Sequence, residues 1–544
     1  SGGRDPSINL DGKDADNDPN TIEVYFYYAG YGSKWVEESA KKFMARYPQY
    51  KIVSKDTDPD NTLASKIKSG SKFTADLLMI GDNINGILAS GSNATSGYPI
   101  AFESLDDVYD SVPDTDSGSM KMSEKMNENV KSGYYQTVTI NGKKQRHYYA
   151  APWANSYSGL FYNKKLFEKA NLTGEPRTTV ELAEYCDALR AQKISPFIMS
   201  SADDYVQYLS WVWWAQYDGQ EGIENFYNVR ESADAAASEN AKIFDSEGYR
   251  ETFKVYEEIL GGESVVDGKT VGNVNPFSES LNYTQAQRAF IRGNTTDLEH
   301  GAMMPNGNWL ENEMRSSSSD SIKENIPNIS LMKTPLTSAI VDKLSVWKEN
   351  ASYRNANLTA EKKAEYDAEL RKIVDFADGA VATAPEWASE SDMEIIKKAR
   401  SYYYGSTFTM AIPAFATAKE GAKKFISYLA SDEAIDTYFR NTYGCTLPYE
   451  YDYKSNSYYN EISPVAKRAV DISFGNSPVV TETSYISYYK GGLQYDAGIN
   501  GYNFAITFGS NQKVNRISAE QVIKNIKNRY DSANLKALIE NCNL

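Results

Sequence analysis

Histidine and cysteine are scarce in this chain, and long apolar runs are missing. Two histidines and three cysteines occur among 544 residues. Zinc, haem and iron–sulfur sites take most of their ligands from these residue types, so the sequence predicts no metal, no cofactor and no catalytic histidine. A bilayer-spanning helix needs about 18 consecutive apolar residues, and no such run is present. Cys186, Cys445 and Cys542 are odd in number and cannot form a closed disulfide framework.

Positive charge is in deficit as well. The chain carries 57 basic and 73 acidic residues, a formal net charge of −16 at pH 7. Such a chain repels polyanions, which excludes nucleic acid and anionic membrane surfaces as expected partners. Aromatic residues are abundant instead, with 41 Tyr, 20 Phe and 8 Trp. The length allows two or three lobes of soluble globular composition.

The first twenty residues contain almost no apolar side chains and are rich in Gly, Asp, Asn and Pro. This composition cannot bury a core, so residues 1–20 are predicted to be a flexible linker. The opening Ser1-Gly2-Gly3 is similar to the residues that follow the lipid-modified cysteine of bacterial lipoproteins. An expression scar is an equally good interpretation.

Residues 21–80 alternate between strand and helix patterns. Strands are predicted at 22–28, 50–54 and 75–80, with helices at 35–46 and 62–69 between them. This order is typical of a parallel sheet covered by helices, an α/β fold. Ligands of such sheets lie beyond the carboxyl ends of the strands. The residues expected at this rim are Tyr27, Tyr28, Tyr31, Gly81, Asp82 and Asn83.

Five further segments resemble a known family in the order in which they occur. They are Ala40 to Pro48, Ser69 to Met79, Ala151-Pro-Trp153 through Ala170 with Pro176 to Leu182, Gly301 to Trp309, and Ala422 to Glu433 followed by Gly444 to Pro448. Together they resemble the extracellular solute-binding proteins of bacterial ABC importers, family 1, in the carbohydrate-binding group that includes maltose-binding proteins. The chain departs from the family's usual pattern in its greater length and in its extra charged residues at 340–400.

The resemblance implies a two-lobed periplasmic-binding-protein-like fold with an interlobe ligand cleft and hinge strands. On this basis lobe 1 comprises 21–158 and 334–447, with a helical insertion at about 340–400, and lobe 2 comprises 159–333 and 448–544. The implied function is the capture of an oligosaccharide and its delivery to the permease subunits of an ABC transporter. The protein is then expected to be a monomer, not an enzyme, lipid-anchored on the extracellular face of a Gram-positive membrane or periplasmic in a Gram-negative cell.

Sugar recognition needs flat apolar rings together with hydrogen-bonding side chains, because a sugar has an apolar C–H face and a rim of hydroxyls. Trp309 matches the family's cleft tryptophan and is the strongest candidate. The other candidate ligand-binding residues are Asn306, Trp153, Asn155, Tyr157, Tyr28, Tyr31, Asp82, Asn83, Trp213, Trp214, Tyr403 and Tyr404. For Trp213 and Trp214, which lie in an aromatic helical run, core packing is at least as good an interpretation.

Two other functions are compatible with an acidic, aromatic chain. A glycoside hydrolase needs two carboxylates about 5–10 Å apart, for which Glu311 and Glu313 are conceivable. The eight strand–helix repeats of a barrel enzyme are not visible in the sequence. A binder of an acidic sugar or peptide needs an arginine in its site, and Arg288, Arg292 and Arg315 are the nearest to Trp309.

Overall fold

The computed structural model describes residues 18–27, 29–56, 67, 74–81, 84, 88, 97–474, 479–480, 485–489, 493 and 502–544. The strands are β1 Thr21–Phe26, β2 Lys51–Asp56, β3 Leu77–Ile80, β4 Tyr135–Ile140, β5 Lys143–Tyr148, β6 Ala151–Asn163, β7 Glu263–Val266, β8 Lys269–Gly272, β9 Met303–Gly307, β10 Ile329–Leu331, β11 Tyr403–Ala411 and β12 Val479–Val480.

Helices account for most of the remaining regular structure. They are α1 Lys34–Arg46, α2 Asp106–Tyr109, α3 Met122–Lys125, α4 Glu128–Tyr134, α5 Lys164–Lys169, α6 Thr179–Ala191, α7 Tyr208–Tyr227, α8 Glu247–Leu260, α9 Tyr283–Arg292, α10 Leu310–Ser317, α11 Asp320–Lys323, α12 Ala360–Ala377, α13 Glu390–Ser401, α14 Lys419–Leu429, α15 Asp432–Asn441, α16 Pro464–Phe474, α17 Ile486–Tyr489, α18 Phe504–Gly509, α19 Ala519–Arg529 and α20 Ser532–Cys542. Short 3-10 helices include Ala29–Tyr31, Tyr205–Gln207 and Ser338–Lys343.

The chain forms two compact units. Unit 1 comprises 1–157, 308–317 and 405–479, and unit 2 comprises 158–307, 318–404 and 480–544. Strands β6 and β11 each begin in one unit and end in the other.

Unit 1 is built on the predicted parallel strands. β1 pairs in parallel with β2 on one side and with β3 on the other, and β11 runs antiparallel to β3. All residues of β1 and β3 are buried, as expected for strands covered on both faces. The predicted strand–helix–strand start of an α/β sheet is therefore confirmed for β1, α1 and β2. Of the predicted helix at 62–69, only Ile67 lies within the described residues.

Unit 2 contains the second part of β6 and two strands that pair with it. The second part of β6 pairs antiparallel with β9, with Ser158 opposite Gly307, and with β10, with Asn163 opposite Ile329. Helix α6 begins at Thr179, directly after Thr178, whose side chain accepts a hydrogen bond from the Glu181 backbone N–H at 3.1 Å and so caps the helix. The largest fully buried side chains of this unit lie on helices α7 and α8, and they are Trp213, Trp214, Tyr227, Tyr249 and Tyr256.

The charged segment at 340–400 packs in unit 2 and not in lobe 1 as expected. Its helices α12 and α13 share an apolar cluster with Tyr217 of α7, to which Tyr366 and Leu370 contribute. Arg371 of α12 forms ion pairs with Asp367 at 2.7 Å and with Glu181 of α6 at 3.2 Å. A buried apolar cluster with ion pairs around it fixes this segment to the neighbouring helices, which its exposed charges alone did not indicate.

Residues 448–479, predicted to belong to lobe 2, lie in unit 1. Tyr453 packs there against Phe439 of α15, with ring centroids 5.1 Å apart, and its hydroxyl accepts a hydrogen bond from the Leu447 backbone N–H at 2.9 Å. Residues 308–317, also predicted to belong to lobe 2, lie in unit 1, and residues 334–339 and 401–404, predicted to belong to lobe 1, lie in unit 2.

Candidate functional site

The carboxyl ends of β1 and β3 form a surface of unit 1 in which a tyrosine ring lies against a glycine. The Tyr27 backbone N–H donates to the Met79 carbonyl at 2.8 Å, which keeps the end of β1 beside β3. A Cβ atom on Gly81 would approach the Tyr27 ring to 2.8 Å. Only a glycine at position 81 therefore leaves room for this ring at the predicted rim.

Trp309 lies on the same unit, directly before α10, and is half-buried. The 3-10 helix at 29–31 approaches it closely: a Cβ atom on Gly30 would lie 3.0 Å from the Trp309 Cβ and 3.2 Å from the Glu313 Cγ. An indole ring beside a carboxylate supplies the two kinds of contact that a sugar needs. Gly30, Trp309 and Glu313 are called the Trp309 surface below.

Trp153 is a core residue of unit 1. Its side chain is 1% exposed, lies nearly parallel to Trp35 with ring centroids 5.7 Å apart, and donates its indole N–H to the Ile80 carbonyl at 3.0 Å. Phe26 and Phe408 pack on it at 5.6 and 5.4 Å. These contacts account for the tryptophan without a ligand, and its role in binding stays a prediction.

Asn155 and Tyr157 are buried near the end of the unit 1 part of β6. The Asn155 side chain donates to the Tyr157 hydroxyl at 2.8 Å, and the Tyr157 backbone N–H donates to the Asn308 side-chain oxygen at 3.1 Å. The Asn155 side-chain oxygen is buried and has no partner among the described residues. The Asn308 side chain, which also donates to the Asn155 carbonyl at 3.3 Å, thus connects this part of β6 to the segment 308–317.

Tyr31 is buried among other rings. Its ring centroid is 6.0 Å from that of Trp153, 5.9 Å from that of Phe408 and 6.4 Å from that of Tyr438. Burial raises the pKa of Tyr31 well above its ordinary value, and the nearby Cys445 and Glu313 add to this effect. Three other predicted rim residues, Tyr28, Asp82 and Asn83, lie outside the described residues.

In unit 2, Asn306 is a buried residue of β9 whose amide is used inside the unit. Its side-chain nitrogen donates to the Gln287 side chain of α9 at 3.1 Å, and its oxygen accepts from the Gly307 backbone N–H at 2.8 Å. Asn306 thus connects α9 to β9. A ligand contact of Asn306 stays a prediction.

Trp213 and Trp214 are buried in α7, with exposures of 1% and 0%. The indole N–H of Trp213 donates to the Pro335 carbonyl at 3.0 Å, and that of Trp214 donates to the Asp218 carboxylate at 3.0 Å. The packing interpretation given for this run from its sequence agrees with these contacts. A ligand role for either residue stays a prediction.

Sequence reasoning missed two tyrosines that the structure presents on unit 2. Tyr205 and Tyr208 are half-buried and stacked on each other with centroids 5.7 Å apart. Tyr208 stacks in turn on the predicted Tyr404 at 4.8 Å, and Tyr404 stacks on Trp211 at 6.2 Å. These four rings are called the aromatic ladder below. Tyr403, the other predicted residue of this strand, is buried.

The outer end of the aromatic ladder is held in place by Asp204. This residue has a left-handed backbone, φ 46°, and its carboxylate accepts hydrogen bonds from the backbone N–H groups of Phe504 and Ala505, both at 3.0 Å. Tyr205 and Tyr208 are three residues apart at the start of a long apolar helix. This spacing was the signal in the sequence that could have identified the aromatic ladder.

Glu311, Arg292 and Arg315, which were considered for the alternative functions, have partners within the protein. Glu311 is buried, pairs with Arg315 at 2.8 Å and accepts a hydrogen bond from the Ser463 hydroxyl. Arg315 also lies over the Tyr443 ring, and Arg292 pairs with Asp297 at 3.5 Å. Among the residues that the structure describes, no three His, Cys, Asp or Glu side chains are grouped to hold a metal ion. Within the same residues, no helix combines the length and apolarity that crossing a membrane requires.

Residues 29–309, just over half of the chain, match the family model of the bacterial extracellular solute-binding proteins. The chain belongs to this family. The matched residues include Gly30 and Trp309, whose Cβ positions lie close together in the Trp309 surface. No curated protein sequence matches the chain significantly.

Solved structures show the same periplasmic-binding-type fold at low sequence identity. A chitin oligosaccharide binding protein is 14% identical with a TM-score of 0.56, covering 95% of this chain and 99% of its own. RafE from Streptococcus pneumoniae, in its apo form, is 17% identical with a TM-score of 0.55, covering 95% and 97%. Maltose-bound MalE3 of T. maritima is 16% identical with a TM-score of 0.52, covering 95% and 99%. The expected α/β two-lobed fold class is confirmed by these matches.

Proposed function

We propose that this member of the family is the substrate-binding component of an ABC transporter and that its ligand is an oligosaccharide. The observation that carries the proposal is the Trp309 surface, in which the half-buried Trp309 and the Glu313 side chain both lie against Gly30. An aromatic ring beside a carboxylate matches the apolar face and hydroxyl rim of a sugar ring.

The aromatic ladder of unit 2 supports the same ligand class. Tyr205 and Tyr208 present stacked, half-buried rings whose position is fixed by Asp204, so little conformational entropy remains to be lost on binding. Micromolar affinity corresponds to about 8 kcal/mol, which two or three stacked sugar rings and a few hydroxyl bonds can supply. The cleft that the family resemblance implies between two lobes remains a prediction.

The names of the structural relatives refer to the same class of ligand. They refer to a chitin oligosaccharide, to raffinose in a complex of RafE, and to maltose. The family is extracellular, and we propose in addition a lipid anchor at the N-terminus, a monomeric state, and permease subunits as the membrane partner. In this proposal the bound sugar is released unchanged, so the protein is not an enzyme.

The experiment measures melting temperature and product formation together while a panel of chitin oligosaccharides, raffinose and maltose is added. A ligand that binds only the folded protein raises its melting temperature, by an amount set by ligand concentration over Kd. We expect one class of oligosaccharide to raise the melting temperature without any change in the sugar. Trp309→Ala should remove that shift.

The matched control is Trp387→Ala. Trp387 is also a half-buried tryptophan, but it lies between α12 and α13, where its indole N–H donates to Glu369 at 2.8 Å. This variant should keep the full ligand-induced shift. Hydrolysis of the sugar would contradict the proposal in favour of a glycoside hydrolase, and an unchanged shift in Trp309→Ala would contradict the role of that residue.

A further inference from the structure

In unit 2, one tyrosine hydroxyl lies between two carboxyl groups. Tyr217 of α7 is 6% exposed, and its hydroxyl oxygen is 2.5 Å from Oε2 of Glu247, the first residue of α8. The same oxygen is 2.7 Å from Oδ1 and 2.9 Å from Oδ2 of Asp342, which lies in the 3-10 helix Ser338–Lys343. Two oxygen atoms approach to such distances when a hydrogen atom lies between them. These three side chains are called the Tyr217 cluster below.

The Tyr217 cluster needs more hydrogen atoms than its ionised form contains. A tyrosine hydroxyl has a single hydrogen atom, and an ionised carboxylate accepts hydrogen bonds without donating any. With both carboxylates ionised, one of the two short contacts would therefore have no hydrogen atom between its oxygens. A protonated carboxyl group supplies this atom, because it can donate to the hydroxyl oxygen while the hydroxyl donates to the other carboxylate.

The remaining hydrogen bonds of the two acidic residues place the extra proton on Asp342. Its Oδ2 accepts from the Tyr353 backbone N–H at 2.9 Å, which leaves Oδ1 to carry the proton towards Tyr217. Both oxygens of Glu247 are acceptors, since Oε2 faces the Tyr217 hydroxyl and Oε1 accepts from the Ser352 hydroxyl at 2.5 Å. The hydrogen bonds then run in one direction, from Asp342 through Tyr217 to Glu247.

Lys343 is the basic residue that acts on this cluster. Its ammonium lies 4.2 Å from the centroid of the Tyr217 ring and donates to the Tyr217 backbone carbonyl. Burial raises the pKa of Asp342 above its ordinary value and the charge of Glu247 adds to this effect, whereas Lys343 acts in the opposite direction without reversing it. The electrostatics thus agree with the count of hydrogen atoms.

The other charged groups around the cluster have partners of their own. No described lysine or arginine forms an ion pair with Glu247 or Asp342. On the surrounding elements, Arg354 pairs with Glu251 and Glu258, Arg250 and Lys254 pair with Glu520, Asp245 pairs with Lys527, Arg371 pairs with Asp367, Glu257 accepts from the Ala519 N–H, Asp218 accepts from the Ser246 hydroxyl, and Lys363 lies over the Tyr353 ring.

We infer that the Tyr217 cluster holds one extra proton and acts as an acid-stabilised latch between the segment 338–353 and helices α7 and α8. Asp342 and the pair Ser352–Tyr353 attach two parts of this segment to the cluster. The cluster lines a surface pocket of about 270 Å³, so its proton exchanges with solvent. When the proton leaves, two negative charges face one hydroxyl, and their repulsion loosens the segment. The latch lies within unit 2 and does not depend on the proposed oligosaccharide function.

The direction of the pH dependence follows from the state that binds the proton more tightly. In the unfolded chain, carboxyl groups titrate near about pH 4. The pKa of Asp342 is raised in the folded protein, so the folded state keeps the proton to higher pH. The stabilising contribution of the latch is therefore complete below about pH 4 and is lost as the pH rises through the raised pKa.

The test measures hydrogen exchange of the full chain between about pH 5 and 8, corrected for the intrinsic effect of pH on exchange. Protection of 338–353 should fall as the pH rises, by at most about tenfold per pH unit, because a single proton is released. Asp342→Asn should remove this dependence and melt at a higher temperature than the parent at pH 8, since its amide always donates to Tyr217. Glu247→Gln, which supplies an amide donor from α8, should act in the same way.

The matched control is Glu349→Gln. Glu349 accepts a hydrogen bond from the Tyr366 hydroxyl at 2.9 Å in the same unit, but no second carboxylate among the described residues bonds to that hydroxyl. This variant should keep the pH dependence of the parent.

The inference is overturned if protection of 338–353 in the parent does not change with pH, or if both amide variants of the cluster open more readily than the parent at pH 8. It is also overturned if Glu349→Gln removes the pH dependence. Added calcium that raises the melting temperature of the parent but not that of Asp342→Asn would contradict it as well, because a cation and not a proton would then join the two carboxyl groups.

Discussion

The two units use aromatic side chains in different ways. Around Trp153 in unit 1, the rings of Phe26, Trp35 and Phe408 enclose the indole from several directions, and its N–H is used by the Ile80 carbonyl. The aromatic ladder of unit 2 is instead a row of stacked rings that is buried at Trp211 and half-exposed at Tyr205.

This difference shows that aromatic residues of the same type differ in how much of each ring is covered. A ring that is covered on both faces has no surface left for a sugar, whereas the last ring of a stacked row keeps one face available. Tyrosine at such an end also keeps its hydroxyl for a polar contact. The packing of Trp153 is accounted for by its neighbours, and the proposed binding role of Tyr205 and Tyr208 rests on their half-buried rings.

The largest expected effect is on the stability of unit 1. Trp153→Ala should lower the free energy of unfolding by about 3–5 kcal/mol, because it removes a fully buried indole and leaves a cavity. Chemical denaturation measured by circular dichroism tests this. Trp309→Ala removes a half-buried indole from the same unit and should lower the free energy of unfolding clearly less than Trp153→Ala does. Equal losses in the two variants would remove the distinction between the two tryptophans.

An intermediate effect is expected on ligand affinity in unit 2. Tyr208→Ala should weaken binding of the oligosaccharide identified by the panel about tenfold, roughly 1.4 kcal/mol, because it breaks the stack between Tyr205 and Tyr404. Calorimetric titration measures the change. Tyr185→Ala is the control, since Tyr185 is a half-buried tyrosine of the same unit that packs on Phe167. If the control loses as much affinity, the ladder has no special role.

The smallest effect is on the alkaline stability of unit 1. Burial, with the carboxylates of Asp106 and Glu103 adding to it, raises the pKa of Tyr149 to about 12. An unfolded tyrosine titrates near about pH 10, so the folded state retains this proton longer than the unfolded state. Its stabilising contribution is therefore complete below about pH 10 and is lost as the pH rises towards 12.

Tyr149→Phe should reduce the loss of melting temperature between about pH 10 and 12, because phenylalanine cannot ionise. Differential scanning calorimetry across this range measures the slope. Tyr443→Phe, at a position that is 41% exposed, serves as the control and should leave the slope unchanged. A slope that is identical in Tyr149→Phe and in the parent protein would show that this buried tyrosine does not contribute.

Local structure was largely predictable from the sequence. The apolar runs of β1 and β3 and the helical pattern at 35–46 each act over a few residues, and the structure has β1, β3 and α1 at these places. The parallel pairing of β1 with β2 and with β3 agrees with the predicted alternation of strand and helix.

The candidate site was predictable only in part. Trp309 could be selected from its sequence surroundings, but its neighbour Gly30 lies far from it in the chain, and only the fold brings their Cβ positions within 3.0 Å. Trp153 and Trp309 are chemically identical in the sequence, yet one is enclosed by rings and the other is half-buried. Tyr205 and Tyr208 had a usable spacing, but their exposure depends on where Tyr404 and Asp204 lie.

The sequence by itself determined the class of the chain: an acidic, aromatic α/β protein whose segments follow the order of the solute-binding family. Composition and short-range patterns carry that information, because helices, strands and caps depend on neighbouring residues. Only the tertiary structure decided which rings are covered and that 340–400 packs on α6 and α7. These features depend on contacts between residues hundreds of positions apart, for which one sequence contains no local signal.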